Sequence, residues 1–390
     1  MSRAERGRAT PGGIVLAAGG TGGHMFPAQA LARELLDRGL SVALVTDRRG
    51  GGFGPDLPQV ETHRISAAGL TGRGLLGKLR GVLALGLGLV QARRLLKAFG
   101  GGVVVGFGGY PSVPTVLAGA SLGLRVVLHE QNAVLGRANR LLAARADAIA
   151  TSFDTVAAIA ESDRAKVHLT GNPVRPAIAA LGRRPYAVPD ANDVLRLLVT
   201  GGSQGAAVFN EVVPAALCRL PEPLRRRLKV SQQVPGGAIE EVAAAYRDCG
   251  IACEPKGFFD DLPERLGAAH LVIGRAGAST VTELTAAGRP GLLVPLPTAT
   301  DDHQTANAQC LAAAGGGWVM PQSGFTPEHL AERLSSLFAN PALLARASRC
   351  AQAYGRDQAA AALADVVCAK GSQNDDHNGD AGSDRGEAAA

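Results

Sequence analysis

Four stretches carry residue types suited to charged or polyhydroxy ligands. The first, IVLAAGGTGGHMFPAQALARELLDRG at residues 14–39, runs from an apolar strand through glycines to His24 and an amphipathic helix pattern. A strand-to-helix turn stripped of side chains lets a ligand reach bare backbone N–H groups. Those donors, with the positive end of the helix dipole, favour phosphate or another anion. The second stretch, LLVTGGSQG at 197–205, repeats that order about 180 residues later. One such loop is equally well explained by close helix–strand packing; two at matching places favour the anion site. The third, GRAGASTVTELTAAGRP at 274–290, places Ser279 or Thr280 to cap a helix, and Gly277, Ala278 and Ser279 to offer amides. Glu283 lies one turn on, where a carboxylate accepts both hydroxyls of a ribose, although a favourable dipole charge explains it too. The fourth, PLPTATDDHQTANA at 295–308, gathers Asp301, Asp302, His303, Gln304 and Asn307. Gln and Asn both donate and accept, which suits a sugar; ordinary polar capping of a helix start is the plainer alternative.

The competing nucleotide motifs fit less well. The dinucleotide fingerprint needs G-x-G-x-x-G/A, and the run from Gly20 to Met25 ends in the wrong residue. Asp47, after the second strand, mimics the acid that binds a ribose, so an NAD-dependent dehydrogenase stays as a competitor. No G-x-x-x-x-G-K-[ST] occurs, and there is no Asp-x-Asp to clamp a metal–diphosphate complex. Backbone amides and helix dipoles are therefore expected to carry a diphosphate's charge, with no metal site and no cofactor.

These stretches require a scaffold that brings them together. The chain of 390 residues is too long for one compact core, and its 46% hydrophobic content is that of a globular protein. Short β-branched runs alternate with longer helical patterns, which signals α/β architecture with parallel sheets. Strands are expected at 14–17, 41–45, 103–105, 125–128 and 148–150, then at 195–200, 229–233, 271–273 and 291–294. Helices are expected between them, notably at 27–38 and 114–122. The echo between the two glycine loops implies two doubly wound, Rossmann-like domains in tandem facing a cleft. Residues 12–182 form the first, 183–193 (RRPYAVPDAND) a linker, and 194–369 the second, whose last helix is a candidate to pack back on the first. Residues 1–11 and 370–390 are too polar to form a core and are expected to be disordered.

Net charge is +6, and aromatics make up only 4%, so no basic groove with stacking residues is evident and nucleic acid is not an expected partner. Six cysteines lack metal spacing and read as thiols in a reducing cytosol, with Cys249 and Cys253 spaced to share a helix face. The start shows no secretory h-region, and no apolar run is long enough to span a bilayer.

GGTGGHMFPAQALA, GFGGYPSVPTVLAG, LHEQNAVLGRANR, GNPVR, GGSQGA, GASTVTELTAAGRP and DDHQTANA, in that order, closely resemble the MurG family of glycosyltransferases. The resemblance runs from about residue 13 to residue 363 and implies a GT-B fold. It also implies an inverting transfer of N-acetylglucosamine from UDP-GlcNAc to the C4 hydroxyl of MurNAc in undecaprenyl-diphospho-MurNAc-pentapeptide (lipid I), giving lipid II for peptidoglycan. A related transferase with another lipid or small-molecule acceptor is the alternative.

Residue by residue, the resemblance assigns Thr21, Gly22 and Gly23 to the first glycine loop, associated with the donor sugar and the acceptor diphosphate, and Asn132 to the donor sugar. Arg175 and Ser203 contact the UDP-sugar, and Phe259 offers its backbone to uracil. Ala278, Ser279, Thr280, Val281, Thr282 and Glu283 hold the nucleotide, with Glu283 on the ribose. Gln304 reads the sugar hydroxyls, assisted by Asn307. His303 stands where the family often has glutamine, Ser279 where it has leucine, and the loop before DDHQ carries one extra residue.

The transition state of such a displacement resembles an oxocarbenium ion. It needs a base for the attacking hydroxyl and stabilisation of the leaving phosphate. His24, closing the first glycine loop toward the cleft, is the candidate base; fixing that loop or binding the acceptor diphosphate is its alternative role. A lipid acceptor also requires contact with the cytoplasmic face of the cell membrane. KLRGVLALGLGLVQARRLLK at 78–97, apolar in the middle and basic at both ends, suits an interfacial helix or a core helix of the first domain.

Overall fold

A computed structural model describes residues 12–19, 22–47, 50–67, 75–202 and 205–369, the side chains of 75–80 excepted. The expectations for residues 1–11, 370–390, Thr21 and Ser203 therefore lie outside the described residues. Seven parallel strands form the first sheet: β1 (Gly13–Ala17), β2 (Val42–Thr46), β3 (Glu61–Arg64), β4 (Gly101–Gly106), β5 (Arg125–Glu130), β6 (Ala148–Thr151) and β7 (Val167–Leu169), in spatial order β3-β2-β1-β4-β5-β6-β7. Six more form the second: β8 (Leu195–Thr200), β9 (Leu228–Gln233), β10 (Ala252–Lys256), β11 (Leu271–Gly274), β12 (Gly291–Leu293) and β13 (Gly317–Val319), in order β10-β9-β8-β11-β12-β13. Both sheets are doubly wound. Each reverses direction beside its first strand, between β1 and β4 and between β8 and β11, and ligands bind at the carboxyl ends of strands at such points.

Central strands carry apolar runs because both faces of each sheet are covered. In β1, Ile14 and Leu16 enter one core layer and Val15 the other, all fully buried. In β8, Leu195, Leu197 and Val199 face one layer and Leu198 the opposite one. Each such side chain contributes about 1.5–3 kcal/mol by leaving water.

Helix α1 (Gly22–Asp37) starts within the glycine loop itself, five residues before the expected start at Pro27. Pro27, the sixth residue of α1, has no N–H to offer the Gly23 carbonyl, so the start of the helix gives up one backbone bond. Helix α2 (Leu75–Phe99) lies on the first sheet beside α3 (Ser112–Ser121), and α4 (Arg137–Leu142) follows β5. In the second sheet, α5 (Ala278–Ala287) follows β11 and α6 (His303–Ala313) follows β12. The chain then recrosses. In α7 (Ala359–Cys368), Leu363, Ala364 and Val367 are fully buried in the core of the first sheet. Arg38 fixes this helix through Asp365 at 2.7 Å, and Arg125 donates to the Val366 carbonyl at 3.2 Å.

The cysteines differ from expectation. Cys218 and Cys249 are joined as a disulfide with Cα atoms 5.3 Å apart, while Cys253 lies on β10 rather than on a helix face shared with Cys249. Neighbouring helices bring the pair together across 31 residues, a separation that carries no sequence signal.

Candidate active site

Both reversal points open on one cleft of about 1270 Å³ between the domains. Gly22, Gly23, His24, Gly108, Glu130, Asn132 and Arg175 line it from the first domain. Thr200, Phe258, Phe259, Gly277, Ala278, Ser279, Thr280, Glu283, His303 and Gln304 line it from the second. Widely separated motifs thus share one chamber.

His24 sits in the first turn of α1, partly buried in the cleft wall. Gly108, after β4, makes room for it: a Cβ there would sit 3.3 Å from His24 Nε2, and its φ of +86° suits glycine. Burial holds the imidazole below its usual range, repulsion from His303 adds to this, and the Gly19 backbone opposes it. His24 is therefore neutral near pH 7, the form in which an imidazole accepts a proton. His129 is a different case. It is fully buried and held at about 4 by that burial, with Nε2 against the Gly171 carbonyl at 3.2 Å and Nδ1 against the Gln131 amide at 2.9 Å.

Across the cleft, Gly277 precedes α5 and has no side chain to cap it, and the amides of Ala278, Ser279 and Thr280, which line the chamber, have no hydrogen-bond acceptor among the described residues. Ser279 Oγ is buried there with no partner among the described residues. Glu283 stands one turn further, and Arg175 of the first domain donates to its Oε1 at 3.1 Å. Burial pushes the Glu283 carboxyl up, and Arg175 opposes the rise. The Arg175 guanidinium also lies over the Phe26 ring, 5.2 Å from its centroid.

Three expected ligand contacts turn away from the cleft. Val281 is fully buried in the core, and its N–H already bonds the Gly277 carbonyl at 3.0 Å as the first closed helical turn. Thr282 donates its hydroxyl to the Ala278 carbonyl at 2.7 Å and receives Asn172 Nδ2. Asn307 is also fully buried: its Oδ1 accepts from Ala133 N–H at 2.8 Å, and its Nδ2 donates to Asn132 Oδ1 at 3.1 Å and the Ala276 carbonyl at 3.0 Å. It bolts the two domains together. Gln304 does line the cleft, but its Oε1 accepts the Leu296 N–H at 3.0 Å, which leaves the amide NH₂ for a ligand. The Phe259 side chain is buried beneath the Arg265 guanidinium, so its backbone is what it offers.

Two lining residues had no assigned role in the sequence. Glu130 accepts from Asn132 N–H and Nδ2, Gly136 N–H and Asn139 Nδ2, between 2.8 and 3.2 Å. Burial pushes its carboxyl up and these donors oppose the shift, so Glu130 sets the position of Asn132. Phe258 is 68% exposed at the rim, and nothing in the pattern GFFDDL shows which phenylalanine turns outward. Asp47, the acid a dinucleotide would need, is buried and receives the Gly50 N–H at 2.9 Å, so it closes a turn.

Residues 14–151 match the glycosyltransferase family 28 N-terminal domain and residues 196–364 its C-terminal domain. The chain belongs to glycosyltransferase family 28, in its MurG branch. It is 58% identical to the UDP-N-acetylglucosamine–N-acetylmuramyl-(pentapeptide) pyrophosphoryl-undecaprenol N-acetylglucosamine transferase of Rhodospirillum centenum, over 91% of this chain and 93% of that protein. Identity to the protein of that name from Paramagnetospirillum magneticum is 54%, over 91% and 95%. The crystal structure of Acinetobacter baumannii MurG superposes with a TM-score of 0.74 at 30% identity, covering 92% of this chain and 99% of that one. The GT-B arrangement of two Rossmann-like domains follows, and with it a sugar transferase rather than a dehydrogenase.

Proposed function

We propose that this chain transfers N-acetylglucosamine from UDP-GlcNAc to the MurNAc C4 hydroxyl of undecaprenyl-diphospho-MurNAc-pentapeptide, forming lipid II. One observation carries the reading: the uncapped start of α5, with Glu283 one turn on, faces His24 across a single cleft. Uridine diphosphate seats its phosphates on the Ala278, Ser279 and Thr280 amides and its ribose on Glu283, while the Phe259 backbone meets uracil. The sugar then projects toward Asn132 and the Gln304 amide. His24 takes the proton of the attacking hydroxyl as the sugar–phosphate bond breaks on the opposite face, which inverts the anomeric centre. Charge growing on the departing phosphate falls on fixed dipoles that need no reorganisation, a term of about 10²–10³ in rate per donor.

The acceptor's lipid requires a membrane surface, and α2 supplies one. Val82, Leu83, Leu87 and Val90 are all about half exposed or more and fall on one arc of the helix, which continues into Arg93, Arg94 and Lys97. This arc lies on the cytoplasmic leaflet, with its basic end on anionic headgroups. Among the described residues no helix is long and apolar enough to cross a membrane. Transfer of radiolabelled GlcNAc from UDP-GlcNAc to a lipid I analogue, with UDP-glucose as control, tests the reaction. Donor binding without transfer would leave only a sugar-nucleotide sensor.

A further inference from the structure

The loop before α6 reaches across the cleft. Asp301 has φ of +53° and Asp302 of +50°, two consecutive left-handed residues that are not glycine. Asp302 turns back to accept the Thr305 hydroxyl, whereas Asp301 points into the first domain. There Arg137 Nη2 donates to Asp301 Oδ1 at 2.9 Å and Arg137 Nε approaches Oδ2 at 3.4 Å, while Arg140 pairs with Oδ2. Two guanidinium groups thus enclose one carboxylate and keep a net positive charge. Guanidinium forks match carboxylate and phosphate oxygens alike, and a diphosphate diester brings the second negative charge that Asp301 lacks.

Position adds a second, independent argument. Arg137 lines the same cleft as Leu85 and Leu141, and Leu141 is 59% exposed. Leu85 belongs to α2, the helix with the apolar outer arc. Arg137 therefore shares the cleft wall with apolar side chains, one of them on α2, and Arg140 joins it through Asp301; a group joining a sugar to a lipid needs such a mixed wall. The Arg137 side chain is 62% exposed and that of Arg140 38%, so an incoming anion can replace Asp301 without stripping a buried charge.

We propose that Arg137 and Arg140 bind the diphosphate of the lipid-linked acceptor at the cleft mouth, and that Asp301 occupies them in its absence as a built-in surrogate for that anion. The inference rests on the transfer reaction proposed above. Arrival of acceptor exchanges one anion for another and frees the 297–302 loop from the first domain.

The test uses the full chain with saturating UDP-GlcNAc and varied lipid I analogue. Arg137→Gln with Arg140→Gln raises the acceptor KM about 10–100-fold and leaves the UDP-GlcNAc KM within about two-fold. Asp301→Asn moves the other way, lowering the acceptor KM about 2–5-fold because the internal competitor is gone. A simple interdomain clasp would make all the substitutions act in one direction. A rise or no change in acceptor KM for Asp301→Asn overturns the assignment, as does an equal shift in donor KM for the arginine variants. Single Arg140→Gln repeats the measurement if the double variant is poorly folded. A wild-type chain that transfers nothing refutes the reaction itself, whereas an active wild type with all variants shifting together refutes only this site.

Discussion

Replacing Asn307 separates a ligand contact from a structural bolt. Asn307→Ala removes one acceptor and two donors from a fully buried position between the domains. The Ala133 N–H then has no partner in a site closed to water, at a cost of about 1–3 kcal/mol. The Ala276 carbonyl loses a donor as well, for about 1 kcal/mol more, while Asn132 lies at the cleft wall and recovers most of its loss from solvent. The total is about 2–4 kcal/mol, or roughly 2–5 °C in midpoint for cooperative unfolding at this chain length. Asn307→Asp discriminates further. It keeps an acceptor for Ala133 but sets carboxylate oxygen against Asn132 Oδ1 and the Ala276 carbonyl, so it should destabilise more than alanine does. Calorimetry and urea unfolding measure both variants, and UDP-GlcNAc titration gives donor affinity. Stability within about 0.5 kcal/mol of wild type, combined with a large loss of donor affinity, would refute the bolt and restore Asn307 to the sugar site.

Four further outcomes are expected. His24→Ala should lower kcat about 10²–10⁴-fold with donor affinity nearly unchanged, and the acid limb of the wild-type pH profile should fall below 6.5, the direction in which burial moves this imidazole; retained turnover removes the base. Glu283→Gln should weaken UDP-GlcNAc about 10–100-fold by calorimetry, since a charge-assisted bond to the ribose is lost. His129, at about 4 folded against 6.5 unfolded, makes the unfolded chain the stronger proton binder, so its contribution is complete above 6.5 and lost as pH falls through about 4. That loss is about 3 kcal/mol, and urea unfolding of His129→Gln should show a shallower acid decline than wild type. Leu83→Glu with Leu87→Glu should abolish flotation with anionic liposomes and leave UDP-GlcNAc affinity intact; unchanged flotation places the lipid contact elsewhere.

What could be read from the sequence followed burial. Inner strands such as β1, β4 and β11 are covered on both faces, so their runs carry no charge and stand out. The strands that went unread, β3 (ETHR), β7 (VHL), β10 (ACEPK) and β13 (GWV), are the four edges of the two sheets. An edge strand needs only one neighbour and tolerates charge and even Pro255, so no pattern marks it. At the site, the glycine turns and Glu283 were visible because backbone access and helix position are local properties. The direction of each side chain along α5 and α6 was not visible. Ala278 and Glu283 line the cleft while Val281 and Thr282 face protein, and Asn307 sits one turn past Gln304 on the buried side. Pairs such as Arg137 with Asp301 join residues 164 apart and exist only once the cleft is built.

The return of α7 to the first sheet has a consequence for synthesis. The floor of the first domain's core is supplied by Leu363, Ala364 and Val367, among the last side chains described. A nascent chain that has completed β7 must therefore wait for roughly 200 more residues, on the order of 10–40 s at ribosomal speed, with an oily groove uncovered. The amino-terminal core is therefore complete only after the helix at the far end of the second domain has been made.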